Sequence, residues 1–332
     1  MTKPRVLLLG KIIHAHKGWE QLADVAELSV SEPTSRQQFI DELKTTYNDI
    51  TAIFGSGAGE GAVGPIDEEL ASHFPKSLKY ICHHGAGYDN IQVAPLTKRG
   101  IQLSNTPAAV DEATADTGFY LLLGALRNFN KAAMEVRRGN WIKNVPQAHD
   151  PEGKVLGILG MGGIGRALRD KAKPFKFSKI LYYNRNRLSP ELEGGAEYVA
   201  SQEELAAKSD VLYVSVPLNK ATHHLIDAKF LSQCKDGIVI VNTARGAVID
   251  EQALVDALES GKVSTVGLDV FEFEPKIHPK LLENENIMLL PHMGTHTVET
   301  RLEMETTVLR NIRAGLTEGK VIDLVPEQVG KL

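Results

Sequence analysis

Apolar residues in this chain gather into short runs, separated by longer stretches with the polar–apolar rhythm of a helix. Four runs fall in the first third, at 6–9, 50–54, 80–83 and 101–104. Six more follow at 155–159, 180–183, 211–216, 238–242, 265–270 and 287–290. Runs this short, rich in Val and Ile, predict strands rather than buried helices. Nearly all are apolar on both faces, as strands covered on both sides are. Helical patterns such as 203–208 and 251–260 lie between them, which predicts parallel sheets wound by crossover helices. Asn105-Thr106-Pro107 breaks the chain after the fourth run, so the strands divide into a set of four and a set of six. A long helical pattern opens the second set at 111–126, and another, 298–316, is expected to lead back to the first. The expected architecture is α/β, with two doubly wound parallel-sheet domains. One comprises residues 1–107 and 297–332, the other 108–296, and a ligand is expected in the cleft between them, at the carboxyl ends of the strands.

Composition narrows the function classes. With 332 residues and a 42% hydrophobic content, the chain can bury the cores of two domains. Its formal net charge of −5 offers no bulk attraction to nucleic acid or to an anionic membrane. No apolar run is long enough to span a bilayer, and the first strand begins at once, with no signal peptide before it. Cys82 and Cys234 sit in apolar neighbourhoods and read as buried free thiols. A cytoplasmic protein is the expectation. The C-terminal Gly-Lys-Leu differs from the peroxisomal Ser-Lys-Leu address at its first position.

The most informative motif is Gly160-Met161-Gly162-Gly163-Ile164-Gly165. An apolar run precedes it and Arg166-Ala167-Leu168 begins a helical pattern after it. In that context Gly160 allows the tight turn off the strand, Gly162 lets a pyrophosphate approach the backbone, and Gly165 lets helix and sheet pack closely. The helix N-terminus then turns unpaired N–H groups toward phosphate. The next strand ends in Asn184-Arg185-Asn186-Arg187, where an NAD site usually presents an acid to the ribose 2′-hydroxyl. None is present. Asn184 can donate to a 2′-phosphate and the arginines can pair with it, so NADP(H) is favoured and NAD(H) is the alternative.

Three polar side chains stand just beyond successive strands of the second set: Arg245, Glu274 and His292. Together they suit reduction of a carbonyl beside a carboxylate. A guanidinium offers a donor fork to the substrate, an imidazolium gives a proton to the carbonyl oxygen, and an acid holds the ring and favours its charge. The histidine pairs 83–84 and 223–224 read as structural or surface groups. Adjacent residues on a strand face opposite ways, and no cluster has metal-ligand spacing, so no metal is expected. The glycine-rich stretch 54–61 lacks the strand-to-helix geometry of a second phosphate loop.

These segments, together with Val216-Pro217-Leu218, Asn242-Thr243-Ala244-Arg245-Gly246, Gly267-Leu268-Asp269-Val270-Phe271 followed by Glu274-Pro275, and Pro291-His292, resemble the D-isomer-specific 2-hydroxyacid dehydrogenase family over nearly the whole chain. The resemblance implies a Rossmann nucleotide domain and a flavodoxin-like substrate domain. By it, Arg245, Glu274 and His292 are the catalytic trio and Asp269 contacts the nicotinamide carboxamide. Val216, Pro217, Thr222, Thr243 and Ala244 join the glycine loop, Asn184, Arg185 and Asn186 in the cofactor set. Backbone N–H groups of Ala86 and Gly87, within Gly85-Ala86-Gly87-Tyr88-Asp89-Asn90, hold the substrate carboxylate beside Arg245 and His292. The glycines of 54–61 lie on the substrate side and leave room beyond the α-carbon. A homodimer is implied through 111–141, with Trp141 resembling a residue that some members extend into the neighbouring subunit. Met293-Gly294-Thr295 departs from the family's usual isoleucine and glycine pair, read as a packing change. The implied activity is NADPH-preferring reduction of glyoxylate or hydroxypyruvate to a D-2-hydroxy acid. Alternatives are an NAD-dependent D-mandelate-type dehydrogenase and, in another class, a nucleotide-sensing corepressor-like protein.

Overall fold

A computed structural model describes residues 3–332, and the apolar runs are its strands. The chain divides into two compact units, Met1–Val110 with His296–Leu332, and Asp111–Thr295.

In the first unit five strands, β1 (Arg5–Leu9), β2 (Glu27–Ser31), β3 (Ile50–Gly55), β4 (Tyr80–His83) and β5 (Gln102–Ser104), form a parallel sheet in the order β2-β1-β3-β4-β5. That is the flavodoxin-like order. Alternate residues feed two cores. Leu7, Leu9, Ile53 and Ile81 pack on one face, and Val6, Leu8, Ala52, Phe54 and Cys82 on the other. The β2 strand corrects the expected set of four. Its Glu-Leu-Ser-Val-Ser reads as polar because an edge strand covers little, and only Ser31 is buried. At the other edge, β5 is covered by the C-terminal tail. Val325 N–H donates to Leu103 O, and the buried Gln328 side chain bonds Leu103 N–H and Ile101 O.

The helix Val298–Glu318 supplies the second core's remaining wall. Thr297 caps its start by accepting Thr300 N–H, and Gly319 ends it at φ 76°. Its Val308, Leu309 and Ile312 pack against the β1–β3 residues of that core. From the same helix, the buried Glu305 carboxylate accepts the N–H groups of Ile13, His14 and Ala15 at 2.8, 2.9 and 2.6 Å, which fixes the loop after β1.

In the second unit, seven parallel strands run in the order β12-β11-β10-β9-β6-β7-β8: β6 (Val155–Leu159), β7 (Lys179–Tyr183), β8 (Glu197–Tyr198), β9 (Val211–Val214), β10 (Ile238–Asn242), β11 (Val263–Leu268) and β12 (Met288–Leu289). The strand order reverses between β6 and β9, the switch point where a doubly wound sheet binds its ligand. The two-residue β8 was hidden in the sequence, being too short to show a period. The helix Asp111–Leu126 lies tight on this sheet. A Cβ at Gly118 would fall 2.7 Å from the Tyr213 ring, and one at Gly267 would fall 2.8 Å from Leu121 Cβ. Among the described residues, no helix is long and apolar enough to cross a membrane.

His84, just past β4, stacks on Phe54 with centroids 6.4 Å apart, and its Nε2 is buried without a partner. Burial and then the charge of Arg301 push its pKa down to about 4. The unfolded chain takes up this proton near pH 6.5 while the folded one resists it. His84 should therefore lower stability as pH falls from 6.5 towards about 4. Urea midpoints of His84→Phe at pH 7 and pH 4.5 should differ by less than those of the parent protein.

Candidate active site

The glycine loop leaves β6 and opens the helix Gly163–Ala172. Gly160 has φ 93°, and a Cβ there would strike Ser215 O at 2.7 Å, beyond β9. A Cβ at Gly165 would lie 2.5 Å from Gly160 O, so helix and loop touch backbone to backbone. A Cβ on Gly162 would meet nothing within 4 Å. That open side, bordered by the first N–H groups of the helix, is the room a pyrophosphate needs, and the loop fits a dinucleotide. Asn184, past β7, accepts Met161 N–H at 2.7 Å through Oδ1 and keeps its amide donors. Arg185 and Asn186 are exposed beside it. Arg187 is committed elsewhere, to Glu193 at 2.7 Å and over the Tyr198 ring, which leaves Arg185 as the uncommitted arginine of the 184–187 stretch. Thr222 ties its own turn by donating to Pro217 O at 2.6 Å and accepting Asn219 N–H, which sets the course of Val216-Pro217-Leu218.

The three catalytic candidates are carried by loops that hold one another. At the end of β10, Asn242 forms a local turn. Its Oδ1 accepts Ala244 N–H and its Nδ2 donates to Arg245 O, both at 2.9 Å. Thr243 Oγ1 lies 2.5 Å from the buried Tyr213 hydroxyl. A Cβ at Gly246 would fall 1.8 Å from Phe271 C, so only glycine lets the Arg245 loop pass the Glu274 loop. The latter is anchored by Glu251 and Glu272, each accepting the other's backbone N–H at 3.1 Å.

Asp269, past β11, organises the last loop. It is buried, and its main chain donates to Asn242 O and accepts His292 N–H at 2.7 Å. Its carboxylate accepts Met293 N–H at 2.8 Å and Gly294 N–H at 2.9 Å. Burial raises its pKa against these two bonds. His292 is thus gripped on both sides in a left-handed conformation, φ 54°, that its side chain alone disfavours. Its Nδ1 meets Glu274 Oε2 at 2.7 Å. Burial opposes charge on Glu274, but the bonds from His292 and from Phe271 N–H prevail and hold its carboxyl below the usual value, with Arg245 adding to the effect. An ionised Glu274 accepts from Nδ1–H and leaves Nε2 of the exposed His292 to exchange a proton with a ligand.

In the first unit, three consecutive carbonyls of the loop after β4 are each held from one side. Gly85 O accepts Thr106 N–H at 3.0 Å, Ala86 O accepts Asn105 Nδ2 at 2.7 Å, and Gly87 O meets His83 Nε2 at 3.0 Å. In a trans peptide the N–H points opposite to its C=O, so Ala86 and Gly87 turn their N–H groups the other way. Neither donates to another group among the described residues. Successive backbone N–H groups left over in this way can form a nest for an anion. Asn105, Asn242 and His83 were not read as functional from sequence. A short polar residue at a strand end is the signal that could have found the asparagines.

Two expectations need correction. The stretch 54–61 does run from a strand into a helix, Gly57–Val63; its glycines hide the helical period. A Cβ at Gly59 would lie 2.3 Å from Leu9 O, and Ser56 caps the helix by accepting Gly59 N–H, so Gly59 serves close backbone packing, whereas Cβ atoms at Gly57 and Gly61 would meet nothing within 4 Å. His223 and His224 lie in a turn, not a strand, with His224 at φ 51°. Together with Glu272 they come within metal-ligand range. Their rings stack at 4.0 Å, and Glu272 is taken up by His224 Nε2 at 2.7 Å and by Glu251 N–H.

Comparison with known proteins agrees with this fold. The family model described as "D-isomer specific 2-hydroxyacid dehydrogenase, NAD binding domain" matches residues 119–294. A 4-methyl-2-oxopentanoate reductase A of Aspergillus oryzae is 52% identical, over 98% of this chain and 98% of that protein. The crystal structure of a glyoxylate reductase from Paecilomyes thermophila is 50% identical with a TM-score of 0.96, covering 99% of this chain and 100% of that one. The holo D-mandelate dehydrogenase of Rhodotorula graminis is 36% identical with a TM-score of 0.93, over 98% of each chain.

Asp269→Ala would leave the Met293 and Gly294 N–H groups without their acceptor, and the expected cost is about 3 kcal/mol of stability. Urea denaturation measures it, with Asp269→Asn expected to lose less because its amide oxygen still accepts.

Proposed function

Because the chain belongs to the D-isomer-specific 2-hydroxyacid dehydrogenase family, as an NAD(P)-dependent oxidoreductase, we propose that it reduces small 2-keto acids, glyoxylate or hydroxypyruvate first, to D-2-hydroxy acids. The observation that carries this reading is the His292–Glu274 couple at the same sheet edge as Arg245 and the glycine loop. When bound, the reduced dinucleotide supplies the hydride. The chain's own residues do the rest. Ala86 and Gly87 N–H groups take the substrate carboxylate, and the Arg245 guanidinium fixes the carboxylate and carbonyl oxygens in one plane. His292 Nε2 gives its proton to the carbonyl oxygen, and ionised Glu274 stabilises the imidazolium before transfer. In the opposite direction neutral His292 takes the proton back.

The absence of an acid after β7, with Arg185 exposed and the Asn184 amide donors available, supports NADP(H) as the preferred cofactor. A second reading, a branched and bulkier 2-keto acid, is favoured by the 52% identity to the 4-methyl-2-oxopentanoate reductase. D-Mandelate oxidation ranks below both, given the lower identity to the mandelate enzyme. Steady-state kinetics on a panel of keto acids with both reduced cofactors decides. The expected result is highest kcat/KM on glyoxylate or hydroxypyruvate, and about tenfold or greater preference for NADPH that Arg185→Asp abolishes. His292→Asn should lower kcat by about 10²–10⁴-fold while cofactor binding persists. Higher kcat/KM on 4-methyl-2-oxopentanoate would select the second reading. Binding of NADPH without turnover of any keto acid would favour a sensing role.

We also place the protein in a reducing cytoplasm as a homodimer. Burial pushes the thiols of Cys82 and Cys234 up to about 12 and about 11, which suits buried, unreactive cysteines. Tyr120, Phe129, Val136, Trp141 and Ile142 are exposed within one segment, and Trp141 is 76% exposed. Exposed apolar surface on this scale suits a partner subunit. Sedimentation equilibrium should give twice the chain mass, and a double change Trp141→Asp, Ile142→Asp should shift the population toward monomer.

A further inference from the structure

The glycine-rich stretch 54–61 and the first histidine pair meet in one buried device. Glu60 on the helix Gly57–Val63 and His83 at the end of β4 have side chains only 5% and 7% exposed, with Oε1 and Nδ1 2.9 Å apart. The backbone is shaped around them. A Cβ at Gly55 would lie 2.1 Å from Glu60 Oε1, and one at Gly85 would lie 2.5 Å from His83 Nε2. Asn90 Nδ2 reaches Glu60 Oε2 at 3.5 Å from the far end of the same loop. A carbonyl can only accept, so the 3.0 Å contact with Gly87 O requires a proton on His83 Nε2. Glu60 secures that state in either placement of the proton it shares with Nδ1. An ionised Glu60 accepts from an imidazolium, and a protonated one donates to a neutral ring.

We propose that the Glu60–His83 couple is the positioning device of the substrate carboxylate site: His83 grips the Gly87 carbonyl, in the peptide that follows the two N–H groups, and so anchors the end of the loop that carries the Ala86 and Gly87 N–H groups. This rests on the reading that those two groups take the carboxylate. Thr106 and Asn105 grip the two preceding carbonyls, and His83 closes the third and last grip. His83 touches no substrate.

The test uses the full chain with saturating reduced cofactor. His83→Phe keeps a ring but loses the donor, whereas the amide of His83→Gln can still donate from about the Nε2 position. Loss of the grip should raise KM for glyoxylate, and Ki for the carboxylate-bearing analogue oxamate, by about tenfold. Turnover at saturation should stay within about threefold and cofactor affinity should not change. His83→Gln should recover most of KM and Ki. Unchanged KM and Ki in His83→Phe would overturn the proposal, as would parallel losses in kcat, KM and cofactor affinity that His83→Gln does not relieve. Should His83→Phe fail to fold, Glu60→Ala read against Glu60→Gln decides, because glutamine can still donate to Nδ1. The proposal then expects KM and Ki to rise in Glu60→Ala alone, and equal values in the two variants would overturn it. A parent protein that neither reduces a 2-keto acid nor binds oxamate would overturn the reading beneath this proposal. Normal parent kinetics with an indifferent His83 would overturn the proposal alone.

Discussion

One buried carboxylate, Asp269, holds the His292 loop in place. A parallel sheet ends in loops whose N–H groups have left the ladder and must find acceptors elsewhere. Asp269 answers for three residues in a row, taking His292 N–H on its carbonyl and Met293 and Gly294 N–H on its side chain. Its own N–H is bonded to Asn242, which frames the Arg245 turn. The ends of β10 and β11 and the segment after β12 are therefore one hydrogen-bonded unit. The left-handed backbone of His292 persists because that unit determines it from both sides.

The same device recurs across the molecule. Glu305 collects three N–H groups after β1, and Glu251 and Glu272 exchange N–H groups beneath Glu274. A carboxylate bound by several backbone donors costs little to bury and leaves the loop few alternatives. These acids work as fasteners, while the acids and bases assigned to chemistry, Glu274 and His292, remain partly open to solvent.

Much of this could be read in the sequence. Interior strands are apolar on both faces, so the runs at 6–9, 50–54, 155–159 and 238–242 announce themselves, and the glycine fingerprint gains its meaning from the strand before it and the helix after it. Edges were illegible: β2 shows water most of its side chains, and β8 has two residues. The helix Gly57–Val63 escaped notice because glycines carry no period. At the site, charged residues just past strands were conspicuous. Asn105, Asn242 and His83 were not, because their importance lies in which carbonyl or turn they bind, and that depends on residues distant in the chain. The histidine pair 223–224 misled the strand-based argument, since a left-handed turn places both rings on one side.

The helix Val298–Glu318 belongs to the sheet laid down by the first residues, with Val308, Leu309 and Ile312 sealing Val6, Leu8 and Phe54. During synthesis, then, the earliest strands emerge without their lid. They wait while the whole of Asp111–Thr295, an uninterrupted stretch, leaves the ribosome and is free to fold. The unit that begins the chain is the last to be completed. A message broken off just before Val298 would deliver a nucleotide-binding half tethered to an open, apolar sheet.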